Sequence, residues 1–175
     1  MNLQESNTMT KKWTVQRYEN QQAFEAGTPT PVVDAKTGEL LPAVSEVIGN
    51  LLLNEGIGEF LDLACGLGTP TSFSNANAYI GVGDSTTAES ASQTDLQAST
   101  NKTYKAMASS YPSRSGQTVT WRAVFGSGDA NYSWQEFSVT NASSGTGKNL
   151  NRKVSNQGTK ASGQTWTLDL AITLS

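Results

Sequence analysis

The sequence predicts a mainly β fold: an antiparallel β-sandwich or jelly-roll-like domain with one short helix and an extended N-terminal arm. Three observations lead there. TWTLDLAITL (165–174) alternates without a fault, with Trp166, Leu168, Leu170, Ile172 and Leu174 on one side and Thr165, Thr167, Asp169, Ala171 and Thr173 on the other. That is the period of two a pleated strand requires. TVTWRAVF (118–125) repeats it with Val119, Trp121, Ala123 and Phe125. Sixteen glycines, set among abundant Ser, Thr and Asn, supply the turns of many short strands. No helices alternate with these strands, which excludes a doubly wound α/β fold.

Residues 1–43 read as the arm. KKWTVQRY (11–18) suits a strand with Trp13 and Val15 on one face, but the following stretch holds three of the five prolines. Those prolines preclude a continuous helix or a central strand. DAKTGE (34–39) is expected to turn a short hairpin between Val32–Val33 and Leu40–Leu41. The apolar residues Trp13, Val15, Phe24, Val32, Val33, Leu40 and Leu41 share no common period. The arm cannot bury them alone, so they are candidate interface residues, and residues 44–175 are expected to fold without it.

The domain, 44–175, carries its helix near 55–65. In NEGIGEFLDLACG (54–66), Ile57, Phe60, Leu61 and Ala64 fall on one helical face. Asn54 is placed to cap the start and Gly66 to close the end. Gly56 and Gly58 weaken the helix by roughly 1 kcal/mol each relative to alanine. Cys65, beside the apolar face, reads as a buried small hydrophobe.

The remainder reads as strand and turn. ANAYIGVG (76–83) and NKTYKAM (101–107) flank a long polar connection, 84–100, with no apolar period. NYSWQEFSVTN (131–141) carries a mixed pattern, as in a strand covered on both sides or bent by a bulge. Trp134 is out of phase with Phe137 and Val139 and joins the interface candidates as an exposed aromatic. Trp121 and Trp166 alternate with aliphatic partners and read as core, although three strand tryptophans could also form a sugar-stacking platform.

The residue types exclude much chemistry. The chain has no histidine, which removes histidine-based triads and common zinc sites. SSGTGKNLNRKV (143–154) looks like a phosphate loop, but the glycine that should open the template is Ala142 and the closing Ser or Thr is Asn149. No helical period follows, so it reads as a hairpin loop whose glycines supply positive φ. The carboxylates Asp84, Glu89, Asp95, Asp129 and Glu136 could be paired on paper for glycoside hydrolysis. Each also sits where a turn or solvated face accepts an acid, and Asp84 and Asp95 match no compact calcium loop. No catalytic residue, cofactor or metal is assigned.

Charge narrows the partners. Residues 1–70 carry nine acids and four bases, and residues 71–175 six acids and eight bases. Neither half holds a basic cluster, so nucleic acid is not expected as a partner. The bases Lys148, Arg152, Lys153 and Lys160 read as a solvated face, or as a partner for the acidic first segment. The opening MNLQESNTMTKKW lacks the apolar core of a cleaved leader, and no stretch is apolar enough for a membrane span, so neither export nor a membrane partner is expected. Charged residues make up only 15% of the chain against the roughly 25% of an ordinary soluble domain, which suits packing against neighbours.

Several stretches together resemble small structural proteins of tailed bacteriophages: NLLLNEGI (50–57), NANAYIGVGD (75–84), QTDL (93–96), NKTYKAM (101–107), LNRKV (150–154) and GTKASGQTWTL (158–168). The resemblance spans roughly 50–175, with a looser match around WTVQRY (13–18). It implies a non-enzymatic capsid decoration, or cement, protein: made in the host cytoplasm, bound to the major capsid protein on the virion surface, and oligomeric as a trimer or dimer. The readings beside it are a tail, baseplate or fibre subunit, and a carbohydrate-binding module on the virion surface.

Overall fold

The structure is a computed structural model that describes residues 8–175. It is mainly β, with two five-stranded antiparallel sheets facing each other across one core. The first sheet contains β1 (Met9–Tyr18), β4 (Val44–Ile48), β8 (Ser113–Ser115), β9 (Thr118–Phe125) and β12 (Thr165–Leu174), in the order β4-β1-β12-β9-β8. The second contains β5 (Leu51–Leu52), β6 (Tyr79–Gly83), β7 (Lys102–Ala106), β10 (Glu136–Thr140) and β11 (Asn151–Val154), in the order β5-β11-β10-β6-β7. A small hairpin, β2 (Val32–Val33) with β3 (Leu40–Leu41), stands apart. Helix α1 (Gln21–Glu25) follows β1, and α2 (Asn54–Cys65) follows β5.

The alternation read from the sequence sets the register. Trp166, Leu168 and Leu170 of β12 enter the core with Trp13 and Val15 of β1 and with Trp121, Ala123 and Phe125 of β9. Ile80, Val82, Phe137 and Val139 meet them from the second sheet. Both faces of β12 are covered over its first six residues, because Thr167 and Asp169 are also buried. Asp169 takes a bidentate pair from Arg122 at 2.5 and 2.7 Å, and Arg122 in turn lies over the Tyr111 ring.

The arm is the principal correction. Residues 1–7 lie outside the described residues, but β1 is an interior strand, paired with β12 over ten residues and with β4 on its other side. The prolines do not prevent this, since the first, Pro29, comes eleven residues after β1 ends. The hairpin expected at 32–41 forms as read: the Asp34 carboxylate accepts the Lys36 and Thr37 amides at 2.7 and 2.9 Å, and Gly38 takes a φ of 75°.

The 143–150 segment is the expected connection between β10 and β11, with one correction. Its glycines do not hold positive φ; the chain uses them for close approach. A Cβ on Gly145 would overlap the Asp95 carboxylate, and one on Gly147 would overlap Ala142 and Thr140.

Candidate interface surfaces

Helix α2 is where sequence and structure diverge most usefully. Its packing side is its small and acidic side. Gly56 lies against the Leu150 backbone so closely that a Cβ there would overlap it. The Glu55 carboxylate accepts the Asn149 amide at 2.6 Å, and that of Glu59 accepts the Thr71 amide at 2.6 Å and Asn141 Nδ2 at 3.0 Å. With that side anchored, most of the apolar side is left uncovered over a groove at the edge of the core. Ile57, Phe60 and Leu61 are 40%, 52% and 53% exposed. Cys65, expected to be buried, is exposed for the same reason. The helix starts one residue too early for Asn54 to cap it: Leu53 holds the N-cap position and Asn54 is already helical, while Gly66 closes the end at a φ of 66° as expected.

This outward face borders a groove of about 390 Å³ with an entirely apolar lining, completed by Met9 of β1, Ile172 of β12 and Trp121 of β9. The groove lies at the end of the first sheet where β1 begins and β12 finishes. Burial fades toward this end, from Trp13 and Leu170, both fully buried, to Met9 and Leu174, both at least two-fifths exposed. A second apolar surface lies at the far end of β1. There Val33 and Leu40, cross-strand partners in the small hairpin, are 54% and 70% exposed. The hairpin region is tied to that end of β1 through Thr30, whose amide donates to Arg17 O, and through Arg17 Nη1, which donates to Pro42 O.

The eight interface candidates therefore divide. Val33 and Leu40 are on the surface, and Leu41 is half-buried against the core. Phe24 packs edge-on against Tyr18 at 5.3 Å. Trp13, Val15, Val32 and Trp134 are corrections, since all are buried in the core. Trp134 precedes β10, so the phase of Phe137 and Val139 does not extend to it. Its ring packs between Phe125 and Trp166 at 4.8 and 4.9 Å, and its Nε1 donates to Ala130 O. With all four tryptophans buried, none serves as an exposed sugar-stacking platform.

The basic group near the C-terminal hairpin also divides. Lys148 is exposed near Glu55, whereas Arg152 and Lys160 are buried. Burial lowers the Lys160 ammonium to about 8, with Asp129 acting in the opposite direction, and its Nζ donates to Gly126 O and Asn131 Oδ1, both at 2.7 Å. Arg17, also buried, is lowered to about 10 by desolvation, which Asp34 opposes. Its guanidinium lies over the Trp166 ring at 4.7 Å.

The carboxylates singled out in the sequence are each held by their own chain. Asp84 accepts from Asn101, Asp95 from Lys102 and Tyr104, and Asp129 from Lys105 and the Gly126 amide. Glu89 accepts the Val154 amide, and Glu136 pairs with Arg152. Among the described residues no three metal-ligating side chains converge.

No protein-family model, curated protein or solved structure matches the chain.

Proposed function

We propose that this protein is a non-enzymatic structural component of a bacteriophage virion, an oligomeric subunit that decorates and stabilises the capsid by binding the outside of the major capsid protein lattice. The observation that supports this reading is the placement of apolar surface at both ends of one sandwich. Met9, Ile57, Phe60 and Leu61 lie at one end, and Val33 and Leu40 at the other. Exposed apolar groups gathered into patches mark association surfaces. A subunit with two such patches, separated by a ten-residue strand of about 33 Å, can hold a sister subunit at one and the shell at the other.

Labelling intact virions with an antibody to this protein tests the proposal. Label on heads, together with co-sedimentation of the purified protein with undecorated capsids, is the expected result. Label confined to tails would replace the capsid reading with that of a tail or baseplate subunit, and absence from particles would reject both.

A further inference from the structure

We propose that the groove beside α2 seats a second copy of this chain, so that two molecules pair through their α2 faces about a two-fold axis. A two-fold interface uses one patch twice, so the patch must carry both a projection and the recess that receives it. This patch does: Phe60 and Leu61 stand about half exposed on the rim of the apolar groove that they help to line.

The size agrees. Met9, Ile57, Phe60 and Leu61 of the groove, with Leu174 as the cross-strand partner of Met9, are each between 40% and 53% exposed. At roughly 200 Å² for a fully exposed large side chain, they present about 450 Å² of apolar surface. A standard interface needs about 800 Å² per partner, of which a little over half is apolar. Charge permits the pairing as well. Two of the three acids on α2, Glu55 and Glu59, are turned onto their own domain, where they accept hydrogen bonds from Asn149, Thr71 and Asn141. Bringing two helices together therefore does not force these carboxylates against one another.

The pairing deepens the oligomeric part of the proposed function but does not depend on the particle, so its test uses only the purified full chain. Sedimentation equilibrium across about 1–200 μM should give a species of twice 18.6 kDa. Phe60→Glu and Leu61→Glu, tested separately, should each weaken dimerisation at least ~30-fold, as loss of an interface anchor does, while keeping a cooperative melt. Ile48→Glu, on an exposed apolar residue of the edge strand β4, should leave the mass unchanged. Cys65 is the only cysteine and is exposed near the end of α2, so a nitroxide there gives a readout that needs no interface variant. A helix of twelve residues is about 18 Å long and packed helices lie about 10 Å apart. The two labels should therefore give one distance below ~30 Å. A monomer at the highest concentration, a trimer, a dimer indifferent to both glutamate variants, or a longer label distance would each overturn the proposal.

Discussion

Arg152 Nη2 lies 2.6 Å from Glu136 Oε2, and neither side chain has any exposure to solvent. The pair organises the long polar connection, 84–100, which forms no helix or strand of its own. Glu136 accepts the backbone amides of Gln97 and Ala98, while Arg152 donates to Thr87 O and Gln93 Oε1. One buried ion pair thus supplies both donors and acceptors to a loop with few apolar contacts. Removing one partner of a buried pair leaves the other uncompensated, at a cost of about 3–5 kcal/mol. Arg152→Met should lose that much in urea unfolding and expose 87–98 to limited proteolysis. Combining it with Glu136→Gln should cost less than the sum of the two single changes. A single variant that loses under ~1 kcal/mol, as a surface pair would, with the loop still protected, would show that something else holds it.

Deleting residues 1–43 should abolish folding. The deletion removes β1 from between β12 and β4, and with it the fully buried Trp13 and Val15. A domain stable by only ~5–15 kcal/mol cannot lose an interior strand of its sheet. Circular dichroism of the truncated chain should show no cooperative melt; a sharp transition would mean that the second sheet and the rest of the first suffice without β1.

The two glycines of α2 should respond oppositely to alanine. Gly58 has open space where a Cβ would go, so Gly58→Ala should gain up to about 1 kcal/mol from helix propensity. Gly56→Ala makes the same gain but drives a methyl into the Leu150 backbone, and should be net destabilising. The comparison requires denaturation midpoints at unchanged m-value. If both variants stabilise, α2 is free to lift from the Asn149–Leu150 backbone.

Lys160 should impose a pH dependence. Its folded value is about 8, below the ordinary 10.5. Between those values the unfolded chain holds a proton that the folded chain has released, so this group's contribution makes stability rise with pH. The stability difference between wild type and Lys160→Met should be flat below pH 8 and should grow in favour of wild type from pH 8 to 10.5. A difference that stays flat throughout would return the Lys160 ammonium to its ordinary value.

Local patterns were legible because a strand records its two environments in alternate residues. The faces of β9 and β12, the hairpin at 32–41 and the Gly66 helix end all follow from neighbours within a few positions. What the sequence could not show was which partner each patterned face would meet. KKWTVQRY (11–18) reads as a strand in either an arm or a sheet, and the interior place of β1 depends on pairing with a segment about 150 residues away. The apolar stripe of α2 is evident from its spacing, but a helix packs on whichever side fits its support. Here Gly56 and two carboxylates fit the Asn149–Leu150 backbone just before β11 and the loop residues Thr71 and Asn141, so the stripe is left facing the groove. Glu136 and Arg152 look like solvated charges in isolation, because a buried ion pair exists only when two distant strands bring opposite charges together out of water. Periodicity determined the long strands, α2 and the mainly β class, but not α1 or the short strands β4, β5 and β8. Only the tertiary contacts decided which faces closed into the core and which stayed open, because burial is a property of pairs of surfaces and each sequence segment describes one.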